Sequence, residues 1–195
     1  MKNKKDLFVS ILALVAFTGL TAWLTNTYIS QKMDNDGVLA ATTNINAQVN
    51  SGTLSIQAPG TASMTSIDLD TIPDGGGTST GTIAGVRVKD HRSGAPGWSA
   101  TATCSNFSDG GSNSIAVTNL TITPGSISPV GNSSLTGVSA GSAHTYTGTA
   151  DPASLMTATA GNGRGRYDQD EALSLFVDVS TVPATYSATV TETVS

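Results

Sequence analysis

The chain has 195 residues, of which 12% are charged, and a formal net charge of −5; that is length for one domain behind a separate N-terminal stretch. The charged share is about half the usual one, and Gly, Ser, Thr and Ala fill the space, which favours short strands and turns over a cytosolic helical protein. Beyond residue 40, five Lys/Arg stand against eleven Asp/Glu, and this acidic balance argues against nucleic acid as a partner, since phosphate binding wants a basic stripe.

Lys2, Lys4 and Lys5 precede an almost uncharged apolar run over residues 7–24. That run sits at the border between a signal-peptide core and a spanning helix. The basic residues before it place that end in the cytoplasm, so everything after it is exported. Trp23 and Tyr28 suit a membrane interface, and Val38-Leu39-Ala40 suits cleavage. Residues 1–40 therefore read as a signal peptide or a retained N-terminal anchor, with membrane contact through them only if uncleaved. Either way the remainder is expected at the cell surface, in the cell wall or secreted.

Residues 41–195 read as one all-β domain, an antiparallel β-sandwich or open barrel of short strands. Thr43, Ile45, Ala47 and Val49 alternate with polar residues and predict a first strand. Leu54, Ile56 and Ala58 predict a second, closed by Pro59-Gly60. Met64, Ile67 and Leu69 predict a short third strand, and Pro73 to Gly77 a loop.

The densest stretch is residues 86–107, VRVKDHRSGAPGWSATATCSNF. Val86 and Val88 share one face, and Arg87 and Lys89 the other. After the Ser-Gly-Ala-Pro-Gly turn, Trp98, Ala100, Ala102 and Cys104 share a face opposite Ser99, Thr101 and Thr103. Alternation on both sides of a turn predicts two paired antiparallel strands with the Trp98 ring aimed at the core. Downstream, strands are predicted over residues 115–123, 144–149 and 155–159, with a Gly/Ser/Pro-rich loop and short edge strand over 124–141. Leu173, Leu175, Val177 and Val179 define one late strand, and Tyr186, Ala188, Val190 and Val194 another.

Little in this pattern carries catalytic chemistry. Asp90-His91-Arg92 places a carboxylate beside a histidine, but neighbours on a strand point to opposite faces, and Asp90 with Arg92 is expected to satisfy a hairpin turn. With His91, His144 and Cys104 the chain lacks a set for a zinc site or a disulfide framework; Cys104 reads as a buried small hydrophobe. Asp168, Asp170 and Glu171 invite a calcium reading, yet no EF-hand pattern accompanies them and Glu171 is in phase with buried Leu173. No Gly-x-Ser-x-Gly elbow is present. The expectation is a non-enzyme without metal or cofactor.

Gly52-Thr53-Leu54-Ser55-Ile56-Gln57-Ala58-Pro59, then Val86-Arg87-Val88-Lys89-Asp90-His91-Arg92, then Gly97-Trp98-Ser99-Ala100-Thr101, and at last Val182-Pro183-Ala184-Thr185-Tyr186-Ser187-Ala188-Thr189-Val190-Thr191 occur in that order. In this the chain resembles WxL-domain cell-surface proteins over nearly all of residues 41–195. The resemblance implies an all-β domain held non-covalently on a Gram-positive cell wall, generally through peptidoglycan. Trp98 falls at the family's first Trp. Ala100 stands where the first motif has Leu, and Glu192-Thr193-Val194 stands where the second Trp-x-Leu is expected. Glu192 is in the inward phase of its strand, so it is expected at the sheet's end or paired.

The leading expectation is thus an exported module that binds peptidoglycan or another surface glycan, with Trp98, Arg87, Lys89, Arg92 and Tyr186 as ligand-binding candidates. Trp98 and Tyr186 fit the core equally well by phase. The rival is a structural subunit of a surface filament or coat, assembled with itself or other surface proteins through sheet edges. No wall-sorting sequence or C-terminal membrane helix is recognisable in the sequence.

Overall fold

Alternation of apolar and polar side chains gives nearly every strand of this molecule one face to bury and one to expose. The computed structural model describes residues 42–195, and Gln48–Ser195 form its compact unit; the expected signal or anchor over 1–40 lies outside the described residues. The strands are β1 (Leu54–Gln57), β2 (Gly77–Asp90), β3 (Trp98–Cys104), β4 (Phe107–Ser108), β5 (Ser114–Ile115), β6 (Leu120–Pro124), β7 (Ser128–Val130), β8 (Val138–Ala140), β9 (His144–Thr145), β10 (Ala153–Ala158), β11 (Gly165–Val177) and β12 (Val190–Val194). One short 3₁₀ turn, Val117–Asn119, precedes β6.

All pairings are antiparallel. The first sheet runs β1-β2-β11-β6-β9, with β7 also on β11; the second runs β12-β3-β10-β8; β4 and β5 form a small hairpin. The inner faces stack. Val86, Val88, Leu120, Ile122, Tyr167, Leu173 and Leu175 from the first sheet meet Trp98, Ala100, Ala102, Leu155 and Met156 from the second. At roughly 25 cal/mol per Å² of apolar surface removed from water, these two faces supply the main drive for folding.

The densest stretch folds differently from its sequence expectation. β2 and β3 do not pair: β2 belongs to the first sheet and β3 to the second, and residues 91–97 cross between them. Both strands carry an apolar face. Stacking those faces in two layers about 10 Å apart buries both, whereas a hairpin would lay them side by side in one layer.

Other expectations are corrected as well. Residues 42–53 form no strand, although Ile45 and Val49 alternate as a strand would. Around Met64 only a single bridge to Gly81 forms. The strand over 115–123 is broken by the 3₁₀ turn. The last strand starts at Val190, because Tyr186 and Ala188 lie in an irregular approach to it.

A β-bulge explains how β2 keeps its apolar residues inside over such length. Gln169 pairs with Val86 and Glu171 with Ile83, so Ala84 and Gly85 together face Asp170. Gly85 takes φ +75° and donates its N–H to Asp170 Oδ1 at 2.8 Å. One extra residue flips the phase of the strand, and Val86 and Ile83 both end up inside.

Candidate functional site

Past the bulge, β2 turns Val86 and Val88 inward, which forces Arg87 and Lys89 onto the outer face of the first sheet. β11 lies alongside in register: Asp168 is opposite Arg87, and Arg166 is opposite Lys89. Arg87 Nε and Nη2 donate to the two Asp168 oxygens at 2.7 and 2.8 Å. This bidentate bond, helped by the guanidinium charge, outweighs partial burial and holds the Asp168 carboxyl below the usual range.

One register further on the arrangement is unbalanced. Lys89 and Arg166 are directly opposite like charges, an unfavourable cross-strand pair. Arg166 Nε is buried without a hydrogen-bond partner. Among the described residues neither side chain forms an ion pair with a carboxylate. Ser55 and Gln57 on β1 and Ser128 and Val130 on β7 complete the same two rows.

Two more cations mark the margin of this face. Arg92 donates through its backbone N, its Nε and its Nη2 to Asp90, each at 3.0 Å, and through Nη2 to the Gly97 carbonyl at 2.7 Å. Asp90 is fully buried. Burial by itself would raise its pKa, but the Arg92 bonds and the charges of Arg92 and Arg164 prevail and lower it. Arg164 is exposed in the turn leading into β11. All five Lys/Arg beyond residue 40 therefore gather at one end of one sheet. Three of them, Lys89, Arg164 and Arg166, have no carboxylate partner among the described residues.

Trp98 lies beneath this end, in the core. It is 5% exposed, its Nε1 donates to the Gly163 carbonyl at 3.0 Å, and its ring tilts against Tyr167 at 5.7 Å. No surface ligand reaches it without opening the fold, which corrects its candidacy as a contact. Tyr186 is half-buried, donates its hydroxyl to the Val182 carbonyl at 2.8 Å, and lies next to the Ser108–Ser187 bridge. That is the far end of β3, about 20 Å from Trp98 at 3.3 Å per residue. Of the five residues nominated from sequence, Arg87, Lys89 and Arg92 thus come together, while Trp98 supports them from below and Tyr186 stands apart. Arg164 and Arg166 were missed. Arg166 shares the even-numbered outer phase of Asp168 on β11, but it meets Lys89 only once β11 is known to be the neighbour of β2, and Arg164 lies in the turn just before that strand.

Neither protein-family models, nor curated proteins, nor solved structures give a match to this chain.

The remaining chemistry-bearing groups are dispersed. Asp90 is committed to Arg92, and His91 is exposed. Asp168 points out to Arg87, Asp170 accepts from Gly85 at the bulge, and Glu171 points into the core, so the three never share a cation. Among the described residues no three His, Cys, Asp or Glu side chains are grouped for a metal.

Besides Asp90, two carboxyls bring unpartnered oxygens into the interior. Glu171 is fully buried with both oxygens unpartnered, and burial pushes its pKa up to about 8, with Glu192 adding repulsion. Glu192 sits mid-strand in β12 opposite Ala102, neither at the sheet's end nor paired as its sequence position led us to expect. Its Oε2 is buried without a partner, and desolvation raises its pKa to about 7. Glu192 also lines a cleft of about 1140 Å³ whose apolar floor includes Ile83, Phe107, Leu173 and Leu175.

Proposed function

We propose that this is an exported, non-catalytic module that holds non-covalently to an anionic polymer of the cell wall, peptidoglycan or another surface glycan. The contact is the outer face of the first sheet. Lys89 and Arg166 meet the polymer's carboxylates or phosphates, Arg87 flanks them, and Arg92 and Arg164 form the margin. The observation that carries this reading is the collection of every cation beyond residue 40 at one end of one sheet, three of them without a carboxylate partner among the described residues. Cross-strand Lys89 and Arg166 repel one another, and an anion laid across both removes that cost. An acidic chain with one cationic end also docks in a defined orientation.

The chemistry of the face bears on the ligand. Its rows hold Ser55, Gln57, Lys89, Arg87, Arg166, Asp168, Val130 and Ser128, with no aromatic ring. Recognition then proceeds by charge and hydrogen bonds to serine and glutamine rather than by stacking on sugar rings. The similarity to WxL-domain proteins points the same way, as does the apolar N-terminal run that suits export.

Sedimentation of the purified full chain with insoluble wall sacculi tests this. Bound protein should fall steadily as salt rises. Lys89→Glu with Arg166→Glu should lower affinity about tenfold or more, from two lost charged contacts of about 0.5–1 kcal/mol each. Sacculi stripped of phosphate polymers separate phosphate from carboxylate as the ligand. Wild type that stays in the supernatant at every salt concentration, or a charge-reversed variant that binds like wild type, would sink the proposal.

A further inference from the structure

The cleft of about 1140 Å³ opens at the end of the sandwich away from Trp98, framed by residues 58–70 and 181–190. Its floor is apolar, with Ile83, Phe107, Leu173 and Leu175. Its charge has one sign: Asp68, Asp70 and Glu192 line it, and among the described residues no Lys, Arg or His does. Glu171 closes the floor from behind. It is directly opposite Ile83 on β2 and two positions from Leu173 on the same face of β11.

The two glutamates bring three oxygens into this interior without a hydrogen-bond partner, both of Glu171 and Oε2 of Glu192. Buried acceptors are nearly always bonded, so three together call for an explanation. The side-chain donors that share the interior are committed elsewhere. Tyr146 donates its hydroxyl to the carbonyl of Ala102, the residue opposite Glu192, at 3.3 Å, and the Cys104 thiol donates to the Ser105 carbonyl at 3.3 Å. These groups feel one another: burial first, then the charges of Cys104, Glu171, Asp151 and Glu192, raise the pKa of Tyr146. The fold thus supplies acceptors here and no donor to meet them.

We propose that the cleft binds an amphiphilic primary amine, its ammonium at the inner end between Glu192 and Glu171 and its apolar chain along Ile83, Phe107, Leu173 and Leu175. An ammonium carries three N–H donors and no acceptor, one donor for each orphaned oxygen. Its charge complements the lining, and the cleft is large enough to enclose a small molecule. A metal ion is served poorly, because hard cations take six or more oxygens and no group of three ligating side chains exists among the described residues. A neutral alcohol offers a single donor, and a fatty acid adds a third carboxyl to the pair. Burial holds Glu171 at about 8 and Glu192 at about 7, so at pH 7 the pair keeps at least one proton. The ammonium supplies the counter-charge that lets both carboxyls ionise, and the proton passes to solvent.

The test titrates the purified full chain at pH 7 with decylamine, decanol and decanoate in a calorimeter. Decylamine should saturate a single site about tenfold or more tighter than decanol, the gain from charge-assisted hydrogen bonds, and decanoate should not saturate. Decylamine binding should release about one proton, read as a heat that differs between phosphate and Tris buffers, and decanol none. Glu171→Gln with Glu192→Gln keeps the shape of both side chains; it should lose the preference for amine and the proton release while binding decanol as wild type does. Circular dichroism should show unchanged strand content, and where the double variant loses it, Glu192→Gln at its half-buried position carries the comparison alone. No saturable amine binding, equal affinity for amine and alcohol, or a glutamine variant that keeps the amine preference would each overturn the proposal. The last is what an amine held by the apolar run over residues 7–24, or by Asp68 and Asp70 alone, would give.

Discussion

At the scale of single residues, Glu171 departs furthest from what burial ordinarily tolerates. A fully buried carboxyl without partners is uncharged in the fold, and its pKa near 8 stands well above that of an unfolded glutamate. Between those two values the folded chain holds a proton that the unfolded chain has released. Stability from this group is therefore complete below about pH 4 and drains away as pH rises toward 8. Glu192 acts in the same direction up to about 7. Asp90 and Asp168 work oppositely: their lowered pKa values give stability that is present above the unfolded value and is lost as pH falls through the folded one. The melting temperature should therefore peak near pH 4–5. Glu171→Gln should flatten its decline toward pH 8 and melt several degrees higher there, a gain of about 1–3 kcal/mol. Thermal melts from pH 4 to 8 check this, and parallel profiles for variant and wild type would refute it. Gly163 is the other residue with no freedom. A Cβ there would lie 2.3 Å from Ala158 Cβ and 2.7 Å from Trp98 Nε1, on a backbone of φ +79°. Gly163→Ala should cost about 3 kcal/mol or more in urea unfolding, by displacing the indole and losing its bond to the carbonyl.

At the scale of elements, β2 shows what a sequence pattern reveals and what it withholds. Its inward valines and outward cations were legible from alternation alone, since a strand's side-chain period is two. Its extent back to Gly77 was hidden, because Gly85 breaks the phase and a bulge is invisible until the partner strand is known. For the same reason Arg166 and Lys89 could not be joined by reading along the chain: they are 77 positions apart, and only the order of the sheet makes them neighbours. The crossing from β2 to β3 was mistaken for a hairpin because both connections join two amphipathic strands through Gly and Pro. Glu192 was misjudged because phase alone does not tell where a strand ends. The bulge can be probed on its own. An added Cβ at Gly85 meets nothing within 4 Å, so Gly85→Ala should cost only the left-handed backbone penalty, about 1 kcal/mol. Unfolding curves should thus rank it well above Gly163→Ala in stability, and equal losses would mean that the bulge carries more than local strain.

At the scale of the whole molecule, charge is divided rather than mixed. Among the described residues five cations stand at the Trp98 end, while most carboxylates lie elsewhere, and the cleft with Asp68, Asp70 and Glu192 in its lining opens at the opposite end. The overall class, an all-β chain of antiparallel sheets, was readable because the alternation recurs along the sequence; the division of ends was not, because it depends on which strands are neighbours. One buried group gives access to how often this architecture opens. Cys104 is 2% exposed, and burial raises its thiol to about 11. It is the chain's single cysteine, so alkylation needs no labelling and reports one place between the two sheets. When closing outpaces reaction, the modification rate equals the opening equilibrium times the rate of a free thiol. For a sandwich stable by about 5 kcal/mol, protection should reach about a thousandfold or more. A Cys104 that reacts within tenfold of a free thiol would mean that the two layers part far more readily than the whole chain unfolds. The molecule thus carries an internal clock for its own breathing.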